Sequence, residues 1–170
     1  LTRSRPENKK KMSRLAGRLM TPEQEDHTSV RSLLRHVRKT AHLKRQFPKM
    51  KEPMHIRVHT DASFANEEGE KSRGAYIVEL VGSDNVSCVV DTQGRAIKRV
   101  AQSTFDAECL SVVEGADAGR WAAEFLRESL TGPRTYDDYR QSEKGDISTH
   151  PPVRVLNDGE GVVNAVKSSK

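Results

Sequence analysis

Long apolar runs, aromatic side chains and cysteine are all scarce in this chain of 170 residues: hydrophobic residues make up 34%, aromatics 5%, and there are two cysteines and one tryptophan. No apolar stretch approaches the roughly 18 residues that span a bilayer, and no basic-then-apolar start resembles a secretory leader. The chain is therefore expected to be soluble and intracellular, with no membrane partner. Cys88 and Cys109 lack ligand-type spacing, which argues against a zinc site or a disulfide framework. Internal repeats, glycine-rich phosphate loops and low-complexity tracts are also absent. The length predicts one domain, or one plus an appendage.

What is plentiful is charge, and it is unevenly spread. Residues 1–50 hold 14 Lys+Arg against 4 Asp+Glu, a net of +10, while residues 51–170 hold 15 against 20, a net of −5. A basic segment attracts phosphate backbones through counterion release, whereas an acidic domain repels a polyanion unless cations bridge the contact. The combination points to metal-dependent work on nucleic acid. Lys9, Lys10 and Lys11 also fit a solvated helix face.

Two amphipathic helices are expected in the basic half. Met12, Leu15, Ala16, Leu19 and Met20 form one apolar stripe, and Val30, Leu33, Leu34, Val37 and Ala41 continue at helical spacing. Between them, Thr21 reads as an N-cap, Pro22 as the first helical residue and Gln24 as the capping-box partner. An antiparallel pair with a tight turn follows, leaving Arg31, Arg35, Arg38 and Lys39 off the stripe and free to meet phosphates. The pattern breaks between Phe47 and Pro53, which divides a basic helical connection or thumb-like segment, 1–50, from a second domain, 51–170.

Beyond the break the period becomes alternating. Met54–Thr60 reads as a strand that delivers Asp61 at its tip, Glu67–Arg73 as a turn, and Gly74–Leu80 and Val86–Asp91 as two further strands of an antiparallel meander. Ser103 and Thr104 suit the cap of a long helix whose apolar residues include Ala107, Leu110, Val113, Ala118, Trp121, Ala122 and Phe125. Thr131–Pro152 reads as a long loop. Val153–Leu156 is a short strand ending in Asn157-Asp158-Gly159, and Val162, Val163 and Val166 open another helix. This order predicts an α/β fold: a mixed sheet of three antiparallel strands and then a parallel one, with helices, preceded by the helical pair.

Three acids occupy equivalent places: Asp61 after the first strand, Glu108 about one turn into the long helix, Asp158 after the fourth strand. With the first and fourth strands as parallel neighbours, both aspartates emerge at one sheet edge and the helix can aim Glu108 at the gap. Three converging carboxylates need cations to neutralise them, and carboxylate oxygens suit Mg²⁺. Two ions roughly 4 Å apart would stabilise the attacking and leaving oxygens of a phosphodiester displacement.

The residues His59-Thr-Asp-Ala-Ser-Phe-Ala65, Ser72-Arg-Gly-Ala-Tyr76, Val100-Ala-Gln-Ser-Thr-Phe-Asp-Ala-Glu-Cys109 and Val153-Arg-Val-Leu-Asn-Asp158 resemble the ribonuclease H domain of retrotransposon polyproteins, especially the copia type. Thr2-Arg-Ser-Arg-Pro6, Leu15-Ala-Gly-Arg-Leu-Met20 and the stretch from His27 to Thr40 are similar to the helices that connect the reverse-transcriptase palm to it. The resemblance implies a ribonuclease H-like fold. It also implies Asp61, Glu108 and Asp158 as catalytic residues and ligands of two Mg²⁺ or Mn²⁺ ions, with Asp61 bridging both. The implied reaction is hydrolysis of the RNA strand of an RNA–DNA hybrid, recognised by shape and the 2′-hydroxyl. Ser63 is a backbone-contact candidate there, and Ser103 a helix cap. His55 and His59 receive no catalytic role. The implied partners are the hybrid and the remainder of a reverse-transcriptase polyprotein, and the implied locations are cytoplasm and nucleus.

The family pattern continues to a fifth strand, a further helix and a fourth acidic ligand. The chain is thus expected to hold a ribonuclease H-like domain truncated at its C-terminus, weak or inactive as a fragment. Three other readings stay open: a catalytically inert nucleic-acid-binding module, a nuclease or integrase of the same fold acting on DNA, and a decayed retroelement fragment.

Overall fold

The computed structural model describes residues 6–67, 71–133, 135–137 and 151–168. After a 3₁₀ turn at Pro6–Asn8 come α1 (Lys9–Gly17) and α2 (Gln24–Lys39), then β1 (His55–Glu67), β2 (Lys71–Val81), β3 (Ser87–Ala96), α3 (Thr104–Thr131), β4 (Val153–Leu156) and α4 (Glu160–Ser168). The sheet order is β3-β2-β1-β4, antiparallel except for the parallel pair of β1 with β4. The expected mixed sheet with flanking helices is the one observed.

β1 alternates as a half-buried strand should. Ile56, Val58 and Thr60 are buried toward α3, while Arg57 and His59 lie on the opposite face. Arg57 Nε donates to Glu79 Oε2 at 2.8 Å, and His59 Nε2 lies 3.1 Å from the same oxygen. The core gathers Ile56, Val58, Val78 and Ala123, with Tyr76, Leu80, Leu126, Val153 and Val155 packed around them.

Helix α3 begins at the expected cap: Ser103 Oγ accepts from the Asp106 N–H at 3.1 Å, and Asp106 Oδ2 accepts from the Gln102 N–H at 3.1 Å. Its inward face keeps Ala107, Ala118 and Ala122 of the expected stripe but not its large residues. Ala107, Ser111, Gly115, Gly119 and Ala123 are buried at four-residue spacing, whereas Trp121 and Phe125 are 78% and 72% exposed and Val113 is exposed as well. Contact with the sheet is too close for large side chains. A Cβ on Gly115 would lie 2.3 Å from Thr60 Cγ2, and one on Gly119 would lie 2.7 Å from Val58 Cγ2 and 2.8 Å from Val153 Cγ1. The displaced Trp121 and Phe125, with the core residue Leu126, wall an open groove of about 800 Å³ floored by Tyr76, Leu80 and Val90.

Other expectations need correction. Asp61 is not at a strand tip, because β1 continues antiparallel to β2 through Ala62↔Gly74 and Ser63↔Arg73. The strands also occupy most of the expected 67–73 turn, whose centre, 68–70, lies outside the described residues. β3 runs to Ala96 rather than Asp91. The N-cap of α2 is Glu23, not Thr21: its N–H donates to Asp26 Oδ2 at 3.0 Å, and Arg18 holds both acids at 3.5 and 3.7 Å. A carboxylate three residues into the helix and a nearby guanidinium outweigh the Thr-Pro signal. Nor do the stripes of α1 and α2 become a buried seam. Leu19, Met20, Val30 and Leu34 are exposed and only Leu33 is buried. Instead α1 reaches toward the sheet, through Lys9 with Asp91 at 3.9 Å and Arg73 with Ser13 Oγ at 3.1 Å. Thr2–Arg5 and most of the expected 131–152 loop lie outside the described residues.

Candidate metal centre

Three elements bring the acids together. Asp61 sits on β1 opposite Ala75. On its other side β4 ends at Leu156, opposite His59, so the strand tip that opens the site belongs to β4 and not to β1. Asp158 follows that tip at once. Glu108 comes from the second turn of α3 and is 8% exposed, while both aspartates are exposed.

One carboxylate oxygen from each of Asp61, Glu108 and Asp158 lies within 4.8 Å of the others. Among the described residues, no Lys, Arg or His forms an ion pair with any of the three. At that separation each like-charged pair repels by about 1 kcal/mol at water's dielectric constant and about 3.5 kcal/mol at the effective value near a protein surface. Three uncompensated oxygen donors are the donor set of a hard divalent cation, so the residues present fit Mg²⁺ or Mn²⁺.

Neutral groups organise the cluster. Asn157 Nδ2 donates to Glu108 Oε2 at 2.8 Å, and it also lies 3.1 Å from Thr60 Oγ1 and 3.3 Å from the Thr60 carbonyl. Asn157 Oδ1 accepts from the Gly159 N–H at 2.8 Å, closing an Asx turn around Asp158. Thr60 Oγ1 donates to the Leu156 carbonyl at 3.2 Å. One turn beyond Glu108, the buried Ser111 Oγ bonds the carbonyls of Asp61 at 2.8 Å and Ala75 at 3.1 Å.

Sequence reasoning missed Asn157, Thr60 and Ser111. A serine three residues after the glutamate, in step with Ala107, Gly115, Gly119 and Ala123, is a faint signal for Ser111, and Asn-Asp-Gly after a strand announces the turn without showing what the asparagine reaches. Of the nucleic-acid candidates, Ser63 is half-buried on β1 opposite Arg73, two residues past Asp61. Arg31, Arg35, Arg38 and Lys39 are exposed along α2, which supplies nothing to the acid cluster. Cys88 and Cys109 are free thiols, and burial pushes both upward in pKa. No described helix is long and apolar enough to cross a membrane.

A four-stranded mixed sheet of this order, with a long helix across one face and three acids clustered where β4 ends, has the arrangement of a ribonuclease H-like α/β fold. No family model matches the chain, and no curated protein matches it significantly. Among solved structures it is similar to ribonuclease H1 from the halophilic archaeon Halobacterium salinarum NRC-1. The identity is 14%, over 65% of this chain and 89% of that one, with a TM-score of 0.31. A likeness at that score adds nothing to what the sheet and the acids themselves establish.

Proposed function

We propose that this chain is the ribonuclease H portion of a retroelement reverse-transcriptase polyprotein, hydrolysing the RNA strand of an RNA–DNA hybrid. The observation that carries the reading is the convergence of Asp61, Glu108 and Asp158 within 4.8 Å with no cationic side chain, among those described, to neutralise them. The motifs at 59–65 and 100–109 support the retroelement assignment by resemblance.

In this reading Asp61, Glu108 and Asp158 would hold the Mg²⁺ or Mn²⁺ ions. Bound there, the ions supply Lewis acidity to the entering water and to the departing oxygen. Water adds to the phosphorus and the bond to the 3′-oxygen breaks, leaving a 5′-phosphate and a 3′-hydroxyl. Residues 51–170 carry this chemistry, and the basic residues 1–50 hold the duplex. Ser63, beside the acids, contacts the backbone, and the exposed Arg31, Arg35, Arg38 and Lys39 bind phosphates.

The test is cleavage of a labelled hybrid with Mg²⁺ or Mn²⁺, against RNA duplex and DNA duplex controls. The reading expects hybrid-specific cleavage that a chelator stops and Asp61→Asn abolishes. The exposed basic face of α2 is the observation that favours a second reading, a binding module without catalysis. Salt-sensitive hybrid binding with no cleavage in either metal would establish that reading instead.

A further inference from the structure

We propose that Asn157 is a positioning residue for the metal centre, holding the Glu108 carboxylate in its coordinating orientation; this rests on the reading of the three acids as cation ligands. Glu108 projects from a helix, Asp61 from a strand and Asp158 from a turn, so no single backbone element fixes their mutual geometry. Asn157 joins all three. Its amide nitrogen bonds Glu108 on α3 and Thr60 on β1, and its oxygen closes the turn that carries Asp158.

The orientation of that amide follows from its neighbours. A carboxylate oxygen and a backbone carbonyl require a donor, and the Gly159 N–H requires an acceptor, so the flipped amide would lose contacts on both sides. Gly159 leaves room for it, since a Cβ there would lie 2.8 Å from Asn157 Oδ1 and 3.6 Å from Glu108 Cγ. A neutral donor suits the task. Lysine or arginine here would hold Glu108 equally well but would cancel charge that the cations need. Asn157 leaves the cluster's negative charge intact while fixing the only member that is buried. Partners of this kind, which orient a ligand without touching the ion, change metal affinity about 10- to 100-fold when removed.

The test measures Mn²⁺ affinity of the full chain by calorimetry, with thermal unfolding of the metal-free protein alongside. Asn157→Ser keeps a side-chain oxygen able to accept from the Gly159 N–H but is too short to reach Glu108. It is expected to weaken Mn²⁺ about 10-fold or more. In a Glu108→Gln background the same change should cost less than about 2-fold, the limit of simple additivity. Glu79→Gln, which breaks the separate pairing with Arg57 on the other face of the sheet, should lower the melting temperature and leave Mn²⁺ affinity unchanged. Should Asn157→Ser fold poorly, Gly159→Ala displaces the amide instead and should weaken Mn²⁺ in the wild-type background only. Unchanged affinity in the Asn157 and Gly159 variants, equal losses with and without Glu108, or no Mn²⁺ binding by the wild type would each overturn the proposal. Hybrid cleavage is read separately: Mn²⁺ binding that depends on Asn157 without cleavage would sink the nuclease reading and leave this one standing.

Discussion

Ser111 gives its hydroxyl hydrogen to the backbone carbonyl of Asp61, 2.8 Å away, so the helix that carries one acid is bonded to the strand position that carries another. The same hydroxyl lies 3.1 Å from the Ala75 carbonyl, the residue paired with Asp61 on β2. Ser111→Ala removes a buried donor and leaves its space partly filled. The expected loss is about 1–3 kcal/mol in chemical denaturation, with the cooperative transition retained.

Relief of repulsion gives the opposite sign at the acids. Without metal, Asp61→Asn is expected to be more stable than the wild type, because one of three clustered charges is gone. With Mn²⁺ at about 100 times its dissociation constant the wild type gains about 2.7 kcal/mol and the variant gains little. Melting curves with and without Mn²⁺ should therefore cross over in rank.

Two glycines on helices should respond to alanine in opposite directions. Gly115→Ala puts a methyl 2.3 Å from Thr60 Cγ2 and 3.2 Å from Val58 Cγ1, and overpacking of this kind costs about 1–3 kcal/mol. Gly17, at the end of α1, has nothing within 4 Å, so alanine there is expected to be neutral or to stabilise by up to about 1 kcal/mol. Denaturant midpoints of the two variants decide the matter.

On the face away from α3, Glu79 is pushed up by burial but pulled down further by its hydrogen bonds to Arg57 and His59, and ends below the ordinary glutamate value of 4.5. A carboxyl lowered in the folded state binds fewer protons than in the unfolded chain. Its contribution is therefore full above the ordinary glutamate range and is lost as pH falls below it. Glu79→Gln should flatten the acid limb of the stability profile, measured as melting temperature against pH. An unchanged limb would show that this cluster is not its source.

Much of the arrangement was legible because it is local. Ile56, Val58 and Thr60 announce a one-faced strand, Ser103 announces a cap, and the apolar runs before Asp61 and Asp158 foretell that these acids meet beside parallel neighbouring strands. What stayed hidden depends on partners far along the chain. Asp-Ala-Ser-Phe-Ala is a weak strand former, and β1 continues through it because β2 supplies the pairing. The inward face of α3 follows from its distance to Val58 and Thr60, which helical periodicity does not encode; large apolar residues suggested one face and the sheet selected another. Asn157 meets Glu108 across 49 residues, beyond the reach of any turn motif. The halves of opposite charge are plain in composition, yet α1 and α2 keep much of their apolar stripe exposed, which no count of charges foretells.

With Gly115 and Gly119 turned toward the sheet, the molecule's single indole and the ring of Phe125 are turned toward water. That exposed apolar strip along a helix is expected to weigh more in the molecule's colloidal behaviour than the sign of its net charge. Concentrated solutions should cloud in sulfate, which drives greasy surfaces together, well before they do so in chloride.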